Sequence, residues 1–136
     1  MERGFREAPH TADVALEVWG SDLRELFVHA AQGLSSLAAN IEPDAPVSAY
    51  RQVQLEAPDW ETLLVDWLNE LLLLADENDE AYVSFEVSLS EPPRLAARVG
   101  ATQAFTPARA IKAATFHNLA VRRGPEGYRA VIVFDV

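Results

Sequence analysis

Two kinds of hydrophobic periodicity follow each other near the start of the chain. Apolar side chains take alternate positions over Val14–Gly20, and a period of two predicts a β-strand; a short strand around Phe5 is expected before it. The apolar positions of 23–38 recur instead every three or four residues, which is the spacing of a helix with one buried face. Ser21 is the predicted N-cap of that helix, because a serine hydroxyl can accept a hydrogen bond from the first turn.

The middle of the chain repeats this order of strand and helix. The segment 47–56 is predicted to be a strand, and Pro58-Asp59 ends it, with Asp59 as the N-cap of a second helix. Leucines and tryptophans between 60 and 75 fall on one broad face of this helix, so that face is expected to be buried. The acidic run 76–80 is predicted to end the helix as a solvated loop.

The rest of the chain has the pattern of a mostly β structure. The predicted strands span 82–89, 95–99, 111–121 and 128–136. A turn at 124–127, which contains two glycines and a proline, is expected to join the last two strands as a hairpin. The predicted fold class is therefore α+β, with two helices packed on a mostly antiparallel β-sheet in two layers, and one domain over residues 1–136.

Composition and charge narrow the functions that the chain can have. Its 136 residues include 21 acidic and 11 basic side chains, for a net charge of −10 at pH 7. This acidity argues against a protein that binds nucleic acid through its phosphates, because such binding requires a basic surface. The absence of cysteine excludes disulfides, thiolate metal sites and a cysteine nucleophile. Because we see neither a membrane-spanning apolar run nor a secretory signal, a cytoplasmic protein without membrane contact is expected.

Lysine is nearly absent from this sequence. Ten of the eleven basic residues are arginine, and Lys112 is the only lysine. Ammonium and guanidinium groups are not interchangeable in binding. Lys112 is therefore either a chance survivor of the bias toward arginine or a residue whose ammonium group is needed, and the sequence leaves both interpretations open.

Two polar segments could carry chemistry in the first half of the chain, one just before the predicted strand at 14–20 and one within the second predicted helix. The segment 9–13 places His10 and Asp13 just before a strand, where they form either a polar turn or a metal or anion site. Asp66 shares one face of the second helix with the polar residues three and four positions after it. A stripe of this kind is usually a solvated outer face, and convergence of the three side chains on a site is the alternative.

Two further segments lie near the end of the chain. Lys112 and His117 fall in an otherwise apolar predicted strand, where a hydrogen-bonded core histidine is the default interpretation of His117. Asp135-Val136 follows an apolar strand and offers a side-chain and a main-chain carboxylate, the oxygen ligands that hard cations take. If the fold brings Asp13 beside Asp135, the like charges require a cation or a proton between them; otherwise the chain simply ends where its sheet ends.

Taken in order, these four segments resemble the archease family over the whole chain. The matching motifs are His-Thr-Ala-Asp-Val at 10–14, Val-Asp-Trp-Leu-Asn-Glu-Leu-Leu at 65–72, Lys-Ala-Ala-Thr-Phe-His at 112–117, and the final Asp-Val. Each motif alone is modest, whereas four motifs in register are specific. One departure is Ala114, where a larger apolar residue is commoner in the family.

The resemblance implies both a fold and a function. It implies a two-layer α+β protein similar in topology to the redox chaperone of the Hsp33 type. It also implies an accessory factor of the GTP-dependent tRNA-splicing RNA ligase, which promotes guanylation of that ligase and multiple turnover, and which binds a divalent cation, Ca²⁺ in known members. The metal ligands carried over are Asp13, Asp135 and the main chain of Val136. Lys112 matches a position needed for activation, and the neighbours of unknown role are His10, Asp66 and His117.

Two rival functions remain open on the sequence alone. One is a small metal-dependent phosphohydrolase that uses Asp13 and Asp135 with His10 or His117, which predicts turnover of a phosphate ester by the isolated protein. The other is a general chaperone of the holdase type, without a redox switch because the chain has no cysteine. The accessory-factor interpretation predicts instead a protein partner, the RNA ligase, and no strong direct binding of nucleic acid.

Overall fold

A computed structural model describes residues 4–8 and 14–136 of the protein. This part of the chain contains two helices, α1 (Leu23–Ala38) and α2 (Trp60–Asn78). The strands are β1 (Phe5–Ala8), β2 (Val14–Gly20), β3 (Ala39–Ile41), β4 (Ala49–Glu56), β5 (Ala81–Ser90), β6 (Arg94–Thr102), β7 (Phe105–Pro107), β8 (Ala113–Ala114), β9 (Arg122–Gly124) and β10 (Gly127–Asp135).

The strands pair antiparallel throughout the described residues, which confirms the predicted α+β class. They form three hydrogen-bonded sheets, however, where the sequence pattern predicted one. The first sheet has the order β1-β2-β10-β8, with β9 also paired to β10; the second is β4-β6-β5; the third is β3-β7. The segments 39–41 and 105–107, for which the hydrophobic pattern predicted no strand, pair with each other and so form the third sheet.

The N-cap of helix α1 lies one residue later than predicted. Asp22, not Ser21, is the N-cap: its backbone is extended, and its carboxylate accepts a hydrogen bond of 2.8 Å from the N–H of Glu25. The carboxylate of Glu25 in turn accepts a 3.0 Å bond from the N–H of Ser21. A carboxylate interacts better than a hydroxyl with the positive end of a helix, which explains why the aspartate caps it.

Helix α2 lies on the core through the face that its periodicity predicted. The N-cap is Asp59, as expected, and its carboxylate accepts a 2.7 Å bond from the N–H of Thr62. Trp67 is fully buried, and its indole N–H donates a 3.0 Å hydrogen bond to the carbonyl of Phe27 in α1. The tryptophan therefore fixes the two helices to each other as well as filling the core. Neither described helix has the length and apolarity needed to cross a membrane.

The acidic end of α2 is not the solvated loop that was predicted. The helix continues to Asn78, Asp79 turns the chain with a left-handed φ of 51°, and Glu80 is buried. Arg51 of β4 donates two hydrogen bonds of 2.8 and 2.9 Å to the Glu80 carboxylate, and the Tyr82 hydroxyl donates a third of 2.7 Å. Glu80 can be buried because its charge and its oxygen atoms are satisfied by partners from two strands.

These contacts change the ionisation of both acids in the cluster. The guanidinium of Arg51, which donates hydrogen bonds to Glu80, holds the pKa of that carboxyl below its usual value. Burial raises the pKa of Tyr82 far above its usual value, and the neighbouring Glu80 carboxylate adds to the effect. Glu80 is therefore an ionised carboxylate, and Tyr82 a neutral hydrogen-bond donor, at neutral pH.

The predicted strand over 111–121 is wrong in extent. Within that span only Ala113–Ala114 forms a strand, and the chain then turns at 116–119, where the N–H of Leu119 donates to the carbonyl of Phe116. Asn118 adopts a φ of 51° in this turn, a conformation that asparagine tolerates better than most residues. The turn at 124–127 is confirmed, but the strand that it joins to β10 is β9, which lies outside the predicted span 111–121.

Candidate functional site

The last residues of β10 meet the short strand β8 at one end of the five-stranded sheet. Phe134 pairs with Ala114 and Asp135 with Ala113. The N–H of Lys112 donates a 2.8 Å hydrogen bond to the main-chain carbonyl of Asp135, and the N–H of Thr115 donates one of 2.9 Å to Val133. We call residues 112–117 and 133–136 the C-terminal edge. It joins two of the motifs found in the sequence, which are about 20 residues apart.

Asn69 of α2 attaches a third motif to the C-terminal edge. Its side-chain oxygen accepts a 2.7 Å hydrogen bond from the N–H of Ala114, and its side-chain nitrogen donates one of 3.2 Å to the carbonyl of the same residue. The amide of Asn69 thus satisfies the side of β8 that faces away from β10, as a neighbouring strand would. The interpretation of the polar stripe as a solvated face is wrong for Asn69, while Asp66 is partly buried.

The exposed side chains of the C-terminal edge combine charge with apolar surface. Lys112, His117 and Asp135 are exposed, so the interpretation of His117 as a core histidine is wrong. The N–H of His117 donates a 3.3 Å bond to the hydroxyl of Thr115. Phe116 is 55% exposed, although alternation placed it within a strand. The edge therefore presents a cation, a carboxylate and an aromatic ring to the outside.

The first motif of the sequence is only partly within the described residues. His10 and Asp13 lie outside them, whereas Val14, which directly follows Asp13 in the sequence, pairs with Phe134. The chain therefore starts β2 beside the residue that precedes Asp135. Among the residues that the structure describes, no group of three histidine or acidic side chains is arranged to hold a metal ion.

Replacing Asn69 by Ala is expected to lower the free energy of unfolding by about 1–3 kcal/mol, because the N–H and carbonyl of buried Ala114 lose their partner. Hydrogen exchange of the Ala114 amide should accelerate by more than the loss of global stability explains. Asn78→Ala is the matched control, since Asn78 is exposed on the same helix and bonds only the carbonyl of Leu74 among described groups. Equal losses in urea unfolding for the two variants would contradict the role assigned to Asn69.

Comparison with known proteins places the chain in context. The model of the archease protein family matches residues 5–136. The protein archease of Archaeoglobus fulgidus is 37% identical over 138 residues, covering 97% of this chain and 98% of the relative. That of Methanosarcina acetivorans is 30% identical over 135 residues, covering 93% and 92%. The match thus spans all four motifs.

Two solved structures have the same fold. Protein 1598 of Methanobacterium thermoautotrophicum superposes with a TM-score of 0.81 at 22% identity, covering 99% of this chain and 100% of the other. An archease from Thermotoga maritima, described as a possible chaperone, gives a TM-score of 0.71 at 21% identity, covering 96% of each chain. Neither comparison tests the similarity to the Hsp33 type, which stays a prediction. From the family match and the sequence relatives together, the chain belongs to the archease family.

Proposed function

We propose that the protein is an accessory factor of the GTP-dependent tRNA-splicing RNA ligase, and that it promotes guanylation of the ligase and multiple turnover in tRNA splicing or RNA repair. The observation that carries this proposal is the convergence of the motifs on the C-terminal edge. Asn69 bonds Ala114, and Lys112 bonds Asp135 through the main chain. Segments far apart in the sequence thus present one surface, as a partner-binding site requires.

The exposed groups of that surface suit a protein partner. Phe116 is 55% exposed and Val136 43% exposed, and the exposed charged residues Lys112 and Asp135 belong to the same edge. Protein interfaces typically bury aromatic and apolar groups at the centre and keep charged groups toward the rim. We therefore place ligase contact at the C-terminal edge, with the ammonium of Lys112 meeting a phosphate or carboxylate.

We further propose that the edge binds a divalent cation, Ca²⁺ in the first instance. The ligands would be Asp13, Asp135 and the main chain of Val136. The described part of this set fits such an ion, since its donors are oxygen atoms and hard cations take oxygen ligands. No hydrogen bond from the described residues reaches the Asp135 carboxylate, and the bond from Lys112 joins its main-chain N–H to the main-chain carbonyl of Asp135. The ion would supply positive charge that lets two carboxylates lie together.

The net charge supports an indirect role in RNA chemistry. At −10, the chain repels a polyanion over long distances, so we infer that the ligase binds the RNA while this protein acts on the ligase. In this proposal the protein is not itself an enzyme, and it works in the cytoplasm with its partner.

The direct test compares RNA joining by the cognate ligase with and without this protein. With ligase in excess, the two yields should agree, because each ligase molecule acts once. With RNA in excess, the protein should raise the yield beyond one equivalent of ligase and increase the guanylated fraction of ligase. Equal yields with RNA in excess would refute the proposal.

A general holdase is the second candidate, because one structural neighbour is described as a possible chaperone and because Leu73 and Phe116 are more than half exposed. A holdase suppresses aggregation of unrelated clients, such as heat-treated citrate synthase, in proportion to its concentration. The accessory-factor proposal expects no such suppression at stoichiometric amounts.

A further inference from the structure

A second surface lies at the opposite end of β10, where Tyr128 is about 24 Å from Asp135 along the extended strand. It is a cleft of about 710 Å³ between the start of α1, the end of β2 and the hairpin of β9 and β10. Four arginines, a tryptophan and a tyrosine are among its lining residues: Arg24, Arg122, Arg123, Arg129, Trp19 and Tyr128. We call it the arginine cleft.

The arginine cleft is positive in a strongly negative protein. Among the described residues, its lining includes four of the ten arginines of the chain and two glutamates, Glu25 and Glu126. The Glu25 carboxylate accepts the N–H of Ser21, another residue that lines the cleft. Arg122 and Arg123 form no ion pair with any carboxylate of the described residues. A local concentration of positive charge in a protein of negative net charge favours the binding of an anion.

Aromatic rings hold two of the guanidinium groups in place. Arg123 lies 5.9 Å from the ring centre of Tyr128, and Arg129 lies 5.8 Å from that of Trp19. Arg129 is further fixed by an ion pair of 2.6 Å with Glu17. A guanidinium restrained in this way loses less freedom on binding, and its planar donors match the oxygens of a phosphate.

We propose that the arginine cleft binds a nucleoside phosphate, with the phosphates against Arg122 and Arg123 and the base against the aromatic wall. The volume lies within the range of small-molecule sites, roughly 300–1,000 Å³, and aromatic rings stack on nucleobases. A small anion needs only this local charge. An RNA strand or an acidic protein segment would extend beyond the cleft onto a surface whose net charge repels it.

The test is a titration of the isolated protein, which the ligase proposal does not affect. Amide spectra of the ¹⁵N-labelled protein would be followed during additions of GDP, ADP, inorganic pyrophosphate, a ten-nucleotide single-stranded RNA and a poly-glutamate peptide. We expect either nucleotide to shift the amides of Gly127 and Tyr128 in a saturable way, and to bind more tightly than pyrophosphate because the base adds contacts.

The double variant Arg122→Ala/Arg123→Ala should weaken nucleotide binding about tenfold or more, since each charge-assisted hydrogen bond contributes on that scale. Arg94→Ala/Arg98→Ala is the matched control: it removes two exposed arginines from β6, outside the cleft, and should leave binding unchanged. Three results would overturn the proposal: no saturable nucleotide binding, equal weakening by both double variants, or tighter binding of the RNA or the peptide than of the nucleotides.

Discussion

Replacing Glu80 by Ala is expected to lower the free energy of unfolding by about 3 kcal/mol, the lower end of the range for breaking a buried ion pair. Glu80 accepts three hydrogen bonds from Arg51 and Tyr82. Its removal leaves a buried Tyr82 hydroxyl without a partner. The loss stays near the lower end because the side chain of Arg51 is 33% exposed, so water can solvate part of the guanidinium. Urea unfolding followed by tryptophan fluorescence measures the difference.

Glu77→Ala is the matched control for this prediction. Glu77 lies in the last turn of α2, three residues before Glu80, and is exposed, so its removal should change stability by less than about 0.5 kcal/mol. A Glu80→Ala variant as stable as Glu77→Ala would show that the buried cluster contributes nothing to stability.

The contribution of Glu80 also depends on pH in a defined direction. Its pKa is lowered in the folded protein by Arg51, so the folded state binds this proton less readily than the unfolded state. The stabilisation is complete above the unfolded pKa of about 4.3 and is lost as pH falls through the lower folded pKa. The stability difference between the natural protein and Glu80→Gln should therefore be constant from pH 6 to 7 and shrink below about pH 4.

Features set by local sequence were predictable. The periodicity of 60–75 gives the buried face of α2, and Asp59 caps that helix through a residue three positions away. The alternation of β5 and the turn of the β9–β10 hairpin depend likewise on neighbours in sequence. In each case the interacting groups are close along the chain, so their spacing contains the information.

Features set by distant partners were not predictable in this way. Glu80 is buried because Arg51, 29 residues earlier, reaches its carboxylate, and in sequence it looks like part of a solvated acidic run. Asn69 looks like one member of a polar stripe, whereas its partner Ala114 is 45 residues away. The segment 111–121 has strand-like alternation, but only the two residues held between Asn69 and β10 form a strand. The motifs in the sequence predicted which residues belong to the candidate site. The contacts among these residues depend on tertiary structure and could not be read from spacing.

Replacing Asp135 by Asn is expected to reduce stimulation of the RNA ligase with RNA in excess by at least about tenfold, the scale on which disturbed metal sites lose function. This expectation rests on the proposed function. The substitution removes the exposed carboxylate and leaves the main-chain carbonyl that accepts the N–H of Lys112, so the fold should be kept. Addition of Ca²⁺ should raise the Tm of the natural protein and not that of Asp135→Asn, because a ligand that binds only the folded state stabilises it.

The same surface gives a charge-specific test at Lys112. Lys112→Ala should lose stimulation of the ligase. Lys112→Arg shows whether the ammonium itself is required, because the two cations differ in geometry and hydration.

Asp44→Asn serves as the control for Asp135→Asn, since Asp44 is an exposed aspartate at a φ of 56°, where asparagine is well tolerated. Full stimulation of the ligase by both Asp135→Asn and Lys112→Ala would show that the C-terminal edge is not needed for ligase activation. If Asp135→Asn loses stimulation but Ca²⁺ raises its Tm as much as that of the natural protein, the edge remains the proposed contact surface and Asp135 is excluded as a metal ligand.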